Sequence, residues 1–264
     1  MGFFEHSHPL VFAHRGGCAL GPENTIAAFD RGVAAGAHGL ELDVRLSADG
    51  IAVVHHDPTL DRTTDASGPV AARTAAELAS VDAAGHFRGE AGFPLRGQGI
   101  GVPTLLEVLR RYPDQRIIVE MKDDLAALGE AVARDVRSAD AVERVCAAGF
   151  GRIAIRAARG ALPEVATGAH RAEVRAALYR SWAAFPVRRA EYRGYQVPEA
   201  AGRLRIVSPR FVRHAHDAGL KVQVWTVDRE DDMARLLGWG VDALISNRPD
   251  LATAFLRAWT GPAR

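Results

Sequence analysis

Glu41 and Asp43 stand two residues apart in the stretch LELDVRLSADGIAVVHHD, residues 40–57. On a strand that spacing puts both carboxylates on one face, and two carboxylates on a buried face demand a cation. Ile117-Ile118-Val119-Glu120-Met121-Lys122 repeats the spacing and points Glu120 and Lys122 the same way. Three carboxylates brought together repel unless a divalent ion neutralises them, and hard oxygen ligands favour Ca²⁺ or Mg²⁺ over zinc. Taken alone, Glu41 and Asp43 also suit a salt-bridged pair capping a core; Glu120 is what favours a metal. Two histidines sit where strands end, His14 in His14-Arg15-Gly16-Gly17 and His56 before Asp57. A histidine pair suits proton transfer near neutral pH, because the unperturbed imidazole titrates there. Alternation sends His55 to the opposite face from His56, so His55 reads as structural. Lys122, beside three acids, reads as a phosphate-binding cation rather than a core lysine with a solvated tip. Trp225 either packs the mouth of the fold or offers substrate a flat apolar platform. Arg62 either anchors its own loop or reaches the ligand.

These groups have to be held at strand ends. Leu10-Val11-Phe12-Ala13 is an apolar run that should be the first strand, and Pro22-Glu23-Asn24-Thr25 opens a helical pattern with Asn24 or Thr25 as its cap. Further strands are expected at Leu40 onward, Ile51–Val54, Ile117–Lys122, Arg144–Phe150, Val165–Ala169, Gly194–Val197, Val222–Val227 and Ala243–Ser246, with helical patterns in most gaps. That alternation predicts an α/β fold, a TIM (β/α)8 barrel, whose functional side chains sit at the C-terminal ends of the strands. Nine strands are one too many for eight. The link Ser47-Ala48-Asp49-Gly50 is too short for a parallel crossover and suits a hairpin, with His56 roughly opposite Glu41 and Val54 opposite Asp43. Residues 57–101, rich in turn residues and with a short helix signal at Thr74–Ala79, read as a small cap-like insertion over the site.

The chain has 264 residues, 48% hydrophobic and 25% charged, which suits residues 1–264 as one domain with one large core. A net charge of +1, from 33 Lys and Arg against 32 Asp and Glu, supplies no field for nucleic acid or an anionic membrane. With neither a signal-like N-terminus nor a run of 18 apolar residues, a soluble, cytoplasmic protein without stable membrane anchoring is expected. Cys18 and Cys146 lie far apart, outside any metal-binding spacing, and read as inert thiols. His6, His8, His38, His86, His170, His214 and His216 have no motif around them.

The motifs HRGG, PENT, ELDV, HHDPTLDRTT, VPTLLEVL, VEMK, VWTVD and GVDALISNRPD, in this order, closely resemble those of the glycerophosphodiester phosphodiesterases, from Val11 to Lys122 and again from Gly219 to Asp250. The resemblance implies a TIM barrel with an insertion after the His-Asp motif, and a reaction yielding glycerol 3-phosphate and an alcohol. It matches Glu41, Asp43 and Glu120 to the ligands of a divalent metal, usually Ca²⁺ or Mg²⁺. It matches His14 and His56 to the general acid and base, and Arg15 and Lys122 to the groups that hold phosphate. The nucleophile would be water, or the substrate's glycerol 2-hydroxyl through a cyclic phosphate.

This chain departs from the resemblance at Gly149-Phe150, where the family often carries Ser-Phe, and residues 152–201 hold little family signature. No strongly matched residue is left to read a headgroup, so specificity is expected to rest on the glycerol phosphate half, with Trp225 against the glycerol carbons. Two alternatives compete with this reading. A lysophospholipase D-type enzyme needs an apolar groove, and no long apolar stripe announces one; a non-catalytic phospholigand-binding barrel would have lost a histidine or a metal acid, and none is lost.

Overall fold

The structure, a computed structural model, describes residues 2–89 and 92–261. Its strands are β1 (Leu10–His14), β2 (Gly39–Leu46), β3 (Ala52–Val54), β4 (Arg116–Met121), β5 (Val145–Gly149), β6 (Ala166–Thr167), β7 (Gly194–Pro198), β8 (Ala200–Ala201), β9 (Leu204–Arg205), β10 (Lys221–Trp225) and β11 (Ala243–Ser246). Eight of them pair in parallel in the order β6-β5-β4-β2-β1-β11-β10-β7, and a single bridge from Gly168 to Gly194 joins the two ends. The result is a nearly closed TIM barrel.

The period of two decides what fills it. Leu40, Leu42 and Val44 of β2 point outward and pack with Val108, Leu109, Val132 and Ile155 beneath the helices. Between them Glu41 and Asp43 point inward. The lower interior is filled by Phe3, Leu10, Phe12, Ile118, Cys146 and Ile245. Above that layer the same inward positions become His14, Glu41, Asp43 and Glu120, so the barrel turns from hydrocarbon to ionic within one side-chain layer.

The ninth predicted strand is the hairpin partner: β3 pairs antiparallel with β2 alone. Its register differs from expectation by one residue. Val54 lies opposite Val44, and the His55 amide donates to the Asp43 carbonyl at 2.9 Å. The link from Ser47 to Gly50 closes with the Ser47 amide on the Ile51 carbonyl at 3.0 Å. Because β3 ends at Val54, alternation does not run on into His55 and His56.

Residues beyond Asp57 build a small core of their own. Leu60, Val70, Leu78, Val81 and Val102 pack on Val53. The short helix expected at Thr74–Ala79 is Ala75–Leu78, started by Thr74 with Glu77 in a reciprocal capping box. Glu90 and Ala91 of this excursion lie outside the described residues. Two of the weaker strand expectations shorten, to β5 and β6, while β7 runs one residue further than expected, to Pro198; β8 with β9 form a small hairpin that no sequence pattern announced. Among the described residues no helix is long and apolar enough to cross a membrane.

Candidate active site

β1 and β2 run in parallel with His14 level with Glu41, and β2 and β4 with Asp43 level with Glu120. Strand register alone therefore gathers the acids. Carboxylate oxygens of Glu41, Asp43 and Glu120 all lie within 4.8 Å of one another. Glu41 and Asp43 are 4% and 1% exposed. Burial, then the neighbouring Asp43 and Glu120, pushes the Glu41 carboxyl well above the usual carboxylate range. Burial acts the same way on Asp43, but the Lys122 and Arg15 cations outweigh it and hold that carboxyl below its usual range.

Lys122 Nζ lies 2.9 Å from Asp43 Oδ1 and 2.5 Å from Glu120 Oε1. Arg15 brings Nε to 3.1 Å from Asp43 Oδ2 and Nη1 to 2.8 Å from Glu23 Oε1, while its main-chain amide donates to Glu41 Oε2 at 3.0 Å. The backbone bends for this. Arg15 has φ 51°, and Gly16 follows at φ 85°, where a Cβ would meet the Ala28 carbonyl carbon at 2.8 Å. Asn24 also takes a left-handed φ of 60° and exchanges two hydrogen bonds with Asp43, its Nδ2 donating to Oδ2 at 2.8 Å. Thr25 is thus the helix cap, accepting from the Ala28 amide, and Asn24 belongs to the site.

Each histidine is oriented from behind. His14 Nδ1 donates to Asn247 Oδ1 at 2.6 Å, an assignment that follows because Asn247 Nδ2 is committed to Asp228 Oδ2 at 2.8 Å. His14 Nε2 is then free of a proton and sits 3.8 Å from Glu41 Oε2. Burial lowers the His14 pKa and keeps the ring neutral. His56 Nδ1 lies 2.6 Å from Asp57 Oδ1, and Asp57 is gripped by Arg62, which also pairs with Glu23. Arg62 therefore anchors the first turn of the excursion. His55, 5% exposed, bonds the Thr59 carbonyl instead of the site.

His14, Arg15, Glu41, His56, Glu120 and Lys122 border one pocket of about 190 Å³, with Phe150 and Trp225 as its apolar wall. Trp225 meets Phe150 edge to face with ring centres 6.0 Å apart. Asn247, Asp228, Glu23 and Asn24 were not singled out from sequence. Asn247 and Asp228 follow the strand ends of β11 and β10, and that position was the signal available for both. Cys18 proves to touch the network, its thiol 2.7 Å from Asn247 Oδ1, and burial pushes its pKa up to about 11.

Residues 14–251 match the Glycerophosphoryl diester phosphodiesterase family. The chain belongs to that family. A glycerophosphodiester phosphodiesterase of Caldanaerobacter subterraneus is 33% identical over 254 residues, 94% of this chain and 98% of that one. The crystal structure of glycerophosphodiester phosphodiesterase from Agrobacterium tumefaciens superposes with a TM-score of 0.74 at 28% identity, covering 93% of this chain and 99% of that one. A phosphodiesterase of Oleispira antarctica, solved with the product sn-glycerol-3-phosphate, gives a TM-score of 0.75 at 25% identity over 95% and 97% of the two chains. This glycerophosphodiester phosphodiesterase family member is accordingly an enzyme, a phosphoric diester hydrolase that splits glycerophosphodiesters.

The same family member carries a second cavity beside the first. Residues 152–201, poor in family signature, contribute much of its wall, so the groove that no apolar stripe announced is assembled from separate elements.

Proposed function

We propose that this enzyme hydrolyses glycerophosphodiesters to glycerol 3-phosphate and an alcohol with a divalent metal at Glu41, Asp43 and Glu120 and with His14 and His56 moving the protons. The observation that carries this reading is the convergence of three carboxylates, those of Glu41 and Asp43 buried, and two separately oriented imidazoles at one small pocket that Glu41, Glu120, His14 and His56 border.

The donor set fits Ca²⁺ or Mg²⁺. All three groups offer hard oxygen, and Asp43 Oδ1 is a buried atom that no donor addresses at hydrogen-bonding angles even though Lys122 Nζ is close. A bound ion would supply positive charge against the phosphoryl oxygens and the charge that grows on them. Arg15 and Lys122 border the same pocket and add to that charge; both now lean on the carboxylates, so an anion would compete for them.

His14, neutral and with its proton on Nδ1 toward Asn247, presents Nε2 as the general base that takes the nucleophile's proton. As the bond from phosphorus to the leaving oxygen breaks, His56 returns a proton to that oxygen, with the Asp57 carboxylate behind it to stabilise a charged imidazole. One water is consumed per diester. Trp225 and Phe150 offer the carbon skeleton an apolar wall.

The test is a panel of glycerophosphocholine, glycerophosphoethanolamine and glycerophosphoglycerol, assayed for glycerol 3-phosphate after chelation and after adding back Ca²⁺ or Mg²⁺. Turnover should vanish on chelation and return with the ion. Full activity in metal-free enzyme, or a Glu41→Ala variant at the wild-type rate, removes the metal from the reaction.

A further inference from the structure

The near-even charge of the whole chain is made of two unequal parts. Residues 152–213 hold thirteen arginines and four glutamates, with no lysine and no aspartate, a net +9 that leaves −8 for the remainder. All of those arginines but Arg159 are exposed. Three of the four glutamates are already held, Glu173 and Glu191 by Arg159 and Glu199 by Arg235. Among the described residues no carboxylate lies within ion-pair distance of Arg171, Arg175, Arg188 or Arg189.

Apolar side chains crowd the same region. Of eight large apolar residues left exposed among the described residues, six lie between Phe150 and Leu204. Tyr179 and Trp182 stand 53% and 47% exposed with ring centres 5.4 Å apart, and Phe185 is 68% exposed. Tyr179 and Trp182 follow Arg171 and Arg175 at helical spacing along the helix Arg171–Ala183, so arginine and aromatic side chains share one outward strip about 20 Å long. The inner face of this helix packs Val174, Ala177 and Leu178 against the core. A helix with apolar residues on both sides is ordinarily covered on both. Beyond the helix the strip is fixed from behind. Ala184 ends the helix at φ 55°, and Arg210 Nη2 donates to the Trp182 carbonyl and His214 Nε2 to the Phe185 carbonyl, each at 2.6 Å. The backbone that carries the Phe185 ring is therefore tied down while the ring itself stands in water, with Arg188 and Arg189 next along the loop.

We propose that this strip docks the enzyme reversibly on an anionic phospholipid bilayer, with the helix lying along the headgroups, the arginines on lipid phosphates and Trp182 and Phe185 in the interface. The inference rests on the surface alone and is independent of the chemistry in the pocket. A ring fixed in water among unpaired arginines suits a partner that offers negative charge and hydrocarbon together. Charge and shape decide against other occupants. A second copy paired isologously would set the same positive surface against itself. Single-stranded nucleic acid would accept arginines and aromatic rings, but Ile153 and Leu204, also exposed, give a base nothing to stack on, whereas both can enter hydrocarbon.

The test is sedimentation of the whole protein with vesicles of phosphatidylcholine alone and with vesicles in which about a third is phosphatidylglycerol, at about 0.05 M and 0.5 M salt. Partition onto the anionic vesicles should exceed that onto neutral ones at least tenfold at low salt and collapse at high salt, on the order of the attraction of two or more arginines. Arg188→Gln should lower it about fivefold and Phe185→Ser about tenfold, both with turnover of glycerophosphoethanolamine in solution unchanged. Arg111→Gln, on the helix Leu105–Arg111 that packs on β2, removes the same charge elsewhere and should leave partition within about twofold. Tryptophan emission should shift to the blue on anionic vesicles, and Trp182→Phe should abolish that shift. Equal or absent binding to the two kinds of vesicle overturns the inference, and so does an Arg111→Gln loss as large as that of Arg188→Gln. Tighter binding of single-stranded nucleic acid than of anionic vesicles at the same salt, or a dimer that Phe185→Ser splits in a protein that ignores vesicles, assigns the strip to another partner and overturns it as well.

Discussion

Asn247→Ala tests whether His14 works as oriented here. The side chain of Asn247 gives His14 Nδ1 its acceptor at 2.6 Å and is itself aligned by Asp228. Truncation removes one hydrogen bond between part-buried groups, a net loss of about 1 kcal/mol. The released ring also regains rotamer freedom, about another 1 kcal/mol to be overcome at each turnover. Together, about 2 kcal/mol corresponds to roughly a 30-fold fall in kcat. The surrounding loop should hold, because Asp228 keeps its bonds from Ser246 Oγ and the Asn247 amide, and the Ala19 amide keeps the Asn247 carbonyl. KM should therefore stay near the wild-type value and the melting temperature should move only slightly. The assay is steady-state release of glycerol 3-phosphate from glycerophosphoethanolamine, with circular dichroism melts as the folding control. A folded variant that keeps kcat within about threefold, less than one hydrogen bond's worth of orientation, would refute the positioning argument.

His14→Gln and His56→Gln should each lose about 10²-fold or more in kcat, and the double variant should lose much less than the product of the two, as expected of groups acting as a unit; additive losses would mean independent roles. His55→Ala, which removes a buried ring bonded to the Thr59 carbonyl, should lower thermal stability while leaving kcat within a few-fold, and equal damage to kcat would show that the two rings are wrongly assigned. Asp242 is buried, but its bonds from His216 and the Val222 amide and the charge of Lys221 outweigh that burial and hold its pKa at about 2. A folded pKa below the unfolded value of about 3.9 gives stability that is present above pH 4 and lost as pH falls toward 2, worth about 2 kcal/mol. Asp242→Asn should thus be less stable than wild type in denaturant titrations at pH 7, with the gap narrowing below pH 4 and closing only below about pH 2; parallel curves across that range would sink the linkage.

The barrel was legible because inward and outward positions alternate so plainly in LELDV and IIVEMK. Each run names its face, and a parallel register does the rest, bringing Glu41, Asp43 and Glu120 together. Short or Gly-rich strands carried less pattern: β6 keeps only Ala166 and Thr167, and the β8–β9 hairpin has two residues to a side. The hairpin register slipped by one because a four-residue link admits more than one closing bond. Sequence left the cap open between Asn24 and Thr25 because both residue types favour that place; a left-handed φ turns the Asn24 amide to Asp43 and leaves the cap to Thr25. The groove was invisible because its wall comes from Val174, Val197 and Leu204, residues unremarkable apart and apolar together only in the fold.

The seam between β6 and β7 has one consequence for the whole ring. Elsewhere neighbouring barrel strands share ladders of paired residues, but here a single bridge from Gly168 to Gly194 spans the gap. A side chain makes good the shortfall. Arg159 reaches from the helix Arg152–Ala161 and donates from Nε to Thr167 Oγ1 at 2.9 Å and from Nη2 to the Gly168 carbonyl at 3.3 Å, while Nη1 lies 3.2 Å from Glu173 and 3.4 Å from Glu191. One guanidinium thus ties the sixth strand, the helix after it and the approach to the seventh with charge-assisted bonds. At this joint the backbone contributes only the Arg193 amide on the Thr167 carbonyl at 2.9 Å and the Ala169 amide on the Gly194 carbonyl at 3.0 Å, so a larger share of its tightness is carried by a charged side chain and follows salt.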